Sequence, residues 1–262
     1  MSTKWKTIIT IAVIAVIVAV AVVLINRPAE QAAQPEPSEG TGMVAGKLGF
    51  PVSKINIGEG GTKTAADGKT PIGYNGTCDS AAQAAGNYTH LIEDVNASTW
   101  AQQKKTLAEV GKQGPWIGRV TSSGELVANA KDLPPGAFDG GWYSRSDVAA
   151  GGLYRVASCE AKKQAVVQVF TGGTTARVNS APKAYFRTVT FELTWANDWQ
   201  ISDAAIVQSG QDFDGRVQDA GPTSLGTAFD GESAPALKNE LVNGFFADAS
   251  REGWVEYANA MR

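Results

Sequence analysis

The chain has 262 residues, 26 acidic against 23 basic side chains and a formal net charge of −3, with no basic block. Nucleic-acid binding, which is dominated by Lys and Arg on phosphates, is therefore not expected. One histidine, His90, and two distant cysteines, Cys78 and Cys159, do not make a zinc set.

Lys4 and Lys6 precede a run from Ile8 to Ile25 that is apolar or small throughout except for Thr10. At a rise of about 1.5 Å per residue it nearly matches the hydrocarbon core of a bilayer, so 8–25 reads as a transmembrane helix. Only Arg27 follows it before Glu30, Glu36 and Glu39. The positive-inside rule then places 1–7 in the cytoplasm and the remaining chain outside, a single-pass protein of the cytoplasmic membrane. A cleaved signal peptide is the competing reading. Its apolar region is usually about 7–15 residues and ends at a small-x-small site, which Ile25-Asn26-Arg27-Pro28 lacks.

Residues 27–46 are rich in Pro, Ala, Gln, Glu and Gly and hold too little apolar surface to fold. With the weakly patterned stretch up to 70 they form, on this reading, a flexible stalk and a surface arm (26–70). Roughly 210 residues remain beyond span and stalk, enough for one domain. Both cysteines fall in the exported part, where a disulfide can form and persist. A Cys78–Cys159 bridge would tie the first helix to the sheet, and two separate buried thiols are the alternative.

Past Thr77-Cys78-Asp79-Ser80, where Asp79 or Ser80 can cap a helix, Ala81, Ala82, Ala84, Ala85, Tyr88, Leu91, Ile92 and Val95 recur at helical spacing. The small residues suit close packing on a sheet. A second helix is expected from Ser98 to about Val110, capped by Ser98 or Thr99 and stopped by Gly111. Residues 114–152 read as loop-rich, with a short helix or strand. Leu153–Cys159 and Ala165–Phe170 read as a hairpin across Glu160–Lys163, and Ala184–Trp195 with Trp199–Asp203 as a second across Ala196-Asn197-Asp198. Beyond Val207, a helix is expected from Ala234 or Pro235 to Phe246 and another from Ser250 to Ala260.

This order of helix, helix, loop and antiparallel strands resembles the nuclear-transport-factor-2-like (cystatin-like) cone fold. The likeness is carried by Ala81–Asn96, by Gly152-Leu153-Tyr154-Arg155-Val156, and by Thr190-Phe191-Glu192-Leu193-Thr194-Trp195-Ala196-Asn197-Asp198-Trp199-Gln200-Ile201. More narrowly, Pro71-Ile72-Gly73-Tyr74 followed by the Ala-rich helix with Asn87-Tyr88 is similar to actinobacterial single-anchor proteins of conjugative elements. The resemblance implies an α+β fold: a cone-like domain (71–207) of helices on a curved antiparallel sheet, with a C-terminal extension (208–262) of one or two helices. It also implies a scaffold role in a conjugal-transfer or type IV secretion-like envelope complex.

A lone histidine on a helix is more often structural than catalytic. Asp212-Phe213-Asp214-Gly215 begins like a calcium loop, but its ligand series does not continue. We expect no catalytic, cofactor-binding or metal-binding residues, and hence no enzyme. Tyr88, Tyr154, Phe191, Trp195 and Trp199 could line a pocket inside the cone, although core packing is the plainer reading. The expected partners are the cytoplasmic membrane, other envelope or channel proteins, and further copies of the chain. A ligand-binding or lipid-transport accessory module is the alternative, with an exported enzyme of the same fold behind it.

Overall fold

The computed structural model describes residues 46–128, 142–177, 180–206, 219, 221–222, 229–230, 234–235 and 237–260. The expected span at 8–25, the stalk up to 45 and Asp212–Gly215 lie outside the described residues. Among the described residues no helix is long and apolar enough to cross a membrane.

Helix α1 is Cys78–Glu93. Its cap is Thr77 rather than Asp79 or Ser80: Thr77 Oγ1 accepts from the Ser80 amide at 3.2 Å, while Asp79 sits in the first turn near the positive helix end. Ser80 is turned inward, its hydroxyl accepting from Trp199 Nε1 at 2.9 Å. Ala81, Ala82, Ala84 and Ala85 are fully buried, which lets the helix backbone lie close across the sheet. Helix α2 is Trp100–Val110, with Thr99 at its cap position and Gly111 at its end.

The stretch expected to be loop-rich holds three elements: α3 at Pro115–Ala128, strand β3 at Trp142–Asp147 and the one-turn α4 at Val148–Gly151. Two-residue strands β1 (Lys63–Thr64) and β2 (Pro71–Ile72) pair ahead of α1. The main sheet is antiparallel. Its β4 (Leu153–Glu160), β5 (Gln164–Arg177), β6 (Lys183–Trp195) and β7 (Trp199–Ile206) include both expected hairpins, with longer strands than expected. Strand β8 (Phe229–Asp230) lies beside the start of β6, α5 is Asn239–Phe245, and β9 is Trp254–Glu256. The order is β7-β6-β5-β4-β9, with β3 alongside the second half of β5. Register shifts between Val156 and Ser158 and between Glu192 and Leu193 are bulges of the kind that bend a sheet. The fold is α+β, helices on a curved antiparallel sheet.

Both faces of the sheet are covered. On one, Val167, Val169, Val189, Phe191, Leu193 and Ile201 pack with α1, Leu107, Val110 and Trp116. On the other, Leu153, Phe170, Phe186 and Trp254 pack with Leu237, Val242 and Phe246.

Two expectations need correction. Ser250–Ala260 is not a helix: β9 pairs with β4, and Trp254 and Val255 point to opposite faces, the period-2 pattern of a strand. Trp254 and Tyr257 match helical spacing only because the chain turns after Glu256. The arm does not merely lie on the surface either. Leu48, Phe50 and Ile55 are buried, and Pro51–Ser53 hydrogen-bonds along β9, with Glu256 N donating to Pro51 O (2.8 Å) and Ser53 N to Glu256 O (2.9 Å).

Cys78 and Cys159 are disulfide-bonded with Cα atoms 5.9 Å apart, joining the start of α1 to β4 across 81 residues of sequence. Closing a loop of that length is expected to stabilise the fold by about 4–5 kcal/mol through the unfolded chain. Urea titration of the Cys78→Ser/Cys159→Ser double variant checks this. A loss below about 1 kcal/mol would mean that the unfolded chain is already compact around these positions.

Candidate functional site

Among the described residues, buried ionisable side chains converge at the last turn of α1, where His90, Glu93 and Asp94 meet the β1–β2 turn, β3 and β6. Alternation along β6 brings Tyr185 and Arg187 to the face that carries Val189 and Phe191, beneath the helix end.

The Glu93 side chain is fully buried. Its Oε2 accepts from Arg187 Nε at 2.5 Å, pairs with a second guanidinium nitrogen, and accepts from the Tyr185 hydroxyl at 3.1 Å. Tyr185 in turn meets Ser144 Oγ at 3.1 Å. The other carboxylate oxygen, Glu93 Oε1, is buried without a hydrogen-bond partner among the described residues. Burial pushes the Glu93 carboxyl above the usual carboxylate range, against the pull of Arg187 and Tyr185. Arg187 lies 4.4 Å from the Tyr185 ring centroid, and its pKa is raised: desolvation works against the charge, but Glu93 outweighs it.

Asp94 closes the helix. One carboxylate oxygen accepts from the Ser146 amide and hydroxyl, both at 2.7 Å, and its carbonyl accepts from Gln103 Nε2 at 2.8 Å. Burial raises its pKa, and the Ser146 donors oppose that.

His90 keeps 22% of its side chain exposed. Its Nδ1 faces the Asn87 carbonyl at 2.9 Å, while Nε2 faces Thr70 Oγ1 at 3.1 Å and Asp67 Oδ2 at 3.5 Å. Burial lowers the ring's pKa, against Asp94 and Asp67. Asp67 itself stays below its ordinary value although burial opposes its charge, because Thr70 and Lys69 donate to it. This is no nucleophilic triad: hydroxyl and carboxylate share one ring nitrogen, and Thr70 is 1% exposed. The arrangement fastens the β1–β2 turn to α1.

The five aromatics considered for a pocket are core or border the core. Tyr88, Phe191 and Trp199 are fully buried, Tyr154 is 6% exposed, and Trp195 packs on Trp199 at the margin. The Tyr88 hydroxyl donates to the Trp199 carbonyl at 3.0 Å, and the Trp199 indole N–H to Ser80. Among the described residues, no group of three His, Cys, Asp or Glu side chains is placed to hold a metal ion.

Sequence reading missed Glu93, Asp94, Tyr185 and Arg187. The available signal was two adjacent carboxylates at the end of a helix with an apolar face and an Arg in an alternating strand, but the contact of Glu93 with Tyr185 and Arg187 spans more than ninety residues. On the opposite face, Arg155 forms a second cluster: its Nε donates to Gln168 at 2.6 Å, Nη1 to Asp219 at 2.8 Å, and the guanidinium lies 5.1 Å from the Trp254 ring centroid.

No protein-family model, curated protein or solved structure matches this chain.

Removing one member of a buried ion pair strands the other. Arg187→Met is expected to cost about 3–5 kcal/mol, whereas Glu93→Leu/Arg187→Met should recover most of that loss. Chemical denaturation of the two variants decides it. Equal losses would show that Arg187 acts through its packing rather than through Glu93.

Proposed function

We propose that the chain is a membrane-anchored, non-enzymatic scaffold subunit of a conjugal-transfer or type IV secretion-like envelope complex. Its anchor is 8–25, and its domain, of the nuclear-transport-factor-2-like cone type, lies outside the cytoplasm. The observation that carries the export half of this reading is the disulfide between Cys78 and Cys159, which belongs to an oxidising compartment. It agrees with the charge asymmetry around the apolar run. The cone assignment is supported by a long helix lying across a curved antiparallel sheet whose β6–β7 hairpin turns at Ala196-Asn197-Asp198, with Trp199 opening β7.

The scaffold half draws on the packing. The chain's own elements occupy both sheet faces, so contacts to channel subunits or to further copies would engage strand edges, α2, α3 and the outer surface of α5. A second reading, a ligand-binding module or exported enzyme, is favoured by one observation: the inward-facing Glu93 with its raised pKa and unfilled oxygen.

Crosslinking in cells followed by mass spectrometry of copurifying proteins tests the scaffold reading. Recovery of a secretion ATPase or other channel subunits is the expected result, together with digestion of the domain by protease added outside spheroplasts. Recovery of the protein alone would overturn the scaffold role, and protection from outside protease would overturn export.

A further inference from the structure

The sequence holds two Asn-Gly pairs, Asn75-Gly76 and Asn243-Gly244. Such a pair is chemically labile: with no Cβ to shield it, the glycine amide nitrogen can reach the carbonyl carbon of the asparagine side chain. The fold treats the two pairs differently. Asn243 and Gly244 lie inside α5, where the Gly244 amide belongs to the helical ladder and Asn243 Oδ1 accepts from Arg251 Nη2 at 2.6 Å. Asn75 is exposed in the stretch between β2 and α1. Its Oδ1 accepts from the Thr77 amide at 3.1 Å and the Thr77 hydroxyl at 2.8 Å, two donors that polarise the carbonyl. Among the described residues the Gly76 amide donates to no acceptor, so no hydrogen bond has to break before it reacts.

We propose that Asn75 is a deamidation site of the folded domain, and that its isoaspartate product detaches Gly76 from Lys162. The Gly76 nitrogen attacks Asn75 Cγ, and its proton passes through water to the side-chain nitrogen, which leaves as ammonia as the succinimide ring closes. Water then opens that ring. Attack at the former side-chain carbon gives an ordinary aspartate, and attack at the main-chain carbon gives a β-linked isoaspartate.

The β-linked form inserts an extra carbon into the main chain beside a glycine that is held on several sides. Gly76 has φ +81°, and its carbonyl accepts from Lys162 N at 2.7 Å. A Cβ on it would stand 2.6 Å from Lys162 Cγ and 3.1 Å from the Trp195 ring. The ordinary aspartate keeps the Thr77 contacts, because a carboxylate accepts from the same donors.

The full chain in nanodiscs is incubated in mildly alkaline buffer, in parallel with the chain unfolded in urea, and peptide fragmentation in the mass spectrometer follows both asparagines. In the folded protein Asn75 should convert at least about fivefold faster than Asn243, the worth of one helix hydrogen bond, and urea should close the gap. Hydrogen exchange then reads the consequence. The Lys162 amide should exchange about fivefold faster in the isoaspartate form, whereas Asn75→Asp should leave it unchanged. Three results would overturn the site: an intact Asn75 in the folded protein while the unfolded chain converts, equal rates at the two folded pairs, or a gap that persists in urea. Unchanged Lys162 exchange in the isoaspartate form would overturn the detachment of Gly76.

Discussion

The position of α1 on the sheet is the constraint from which most of this structure follows. The helix is sixteen residues long, about 24 Å, and is secured at both ends. At the start Cys78 is bonded to Cys159 of β4, and the Lys162 amide donates to Gly76 just ahead of the helix at 2.7 Å. At the finish Glu93 is paired with Arg187 of β6. Between these points the contact is made by alanines, by Tyr88, Leu91 and Ile92, and by Gly86, where a Cβ would meet the Tyr257 hydroxyl at 2.7 Å. Close approach buries apolar surface efficiently, but it also requires the polar groups along the same line to find partners inside the domain. Asn87 does so three ways: Oδ1 accepts from Gly58 N, while Nδ2 donates to the Glu59 carbonyl and the Tyr74 hydroxyl.

The segments flanking the domain in sequence complete its sheet. The backbone of Glu256 pairs with Pro51 and Ser53, and its carboxylate accepts from the Leu48 amide at 3.2 Å. Residues near the start and near the end thus form one edge, and Phe50, Phe246 and Trp254 pack in sequence behind it. An arm free of the domain would leave Trp254 and Phe246 facing water, at about 1.5–3 kcal/mol for each large side chain left uncovered. That stretch therefore belongs to the fold, despite its glycines.

Legibility in the sequence tracked the range of the signal. The first helix, the second helix and both hairpins were readable because a period of 3.6 or 2 repeats over adjacent residues, and Asp198 in the second turn binds the amides of Gly73, Tyr74 and Trp199 as a turn carboxylate can. The aromatics Tyr88, Tyr154, Phe191 and Trp199 were legible as core for the same reason. Elements whose identity depends on a distant neighbour were not. Trp254-Val255-Glu256 is too short to show a period and becomes a strand by pairing with β4. The arm lacks a pattern because a single line of contacts along β9, rather than a repeating face, holds it. Glu93 and Arg187 each look like ordinary surface residues until the helix is laid on the sheet.

An alanine face explains why polar anchors are needed at all. Alanines offer little relief, so the Ala81–Ala85 stretch by itself would tolerate displacement of α1 by one turn, about 5.4 Å, and the register is set by the larger Tyr88, Leu91 and Ile92 and by the polar anchors. A buried ion pair contributes little net stability compared with apolar residues of the same shape, yet it is strongly unfavourable when its partners are separated. Sliding α1 would separate Glu93 from Arg187, Trp199 Nε1 from Ser80, and Tyr88 from its carbonyl, each leaving an unsatisfied buried group. The polar contacts therefore reinforce, beside Tyr88, Leu91 and Ile92, the register that the alanine stretch leaves undetermined. The cost of that arrangement is visible at Glu93, where one oxygen satisfies the register and the other is left open.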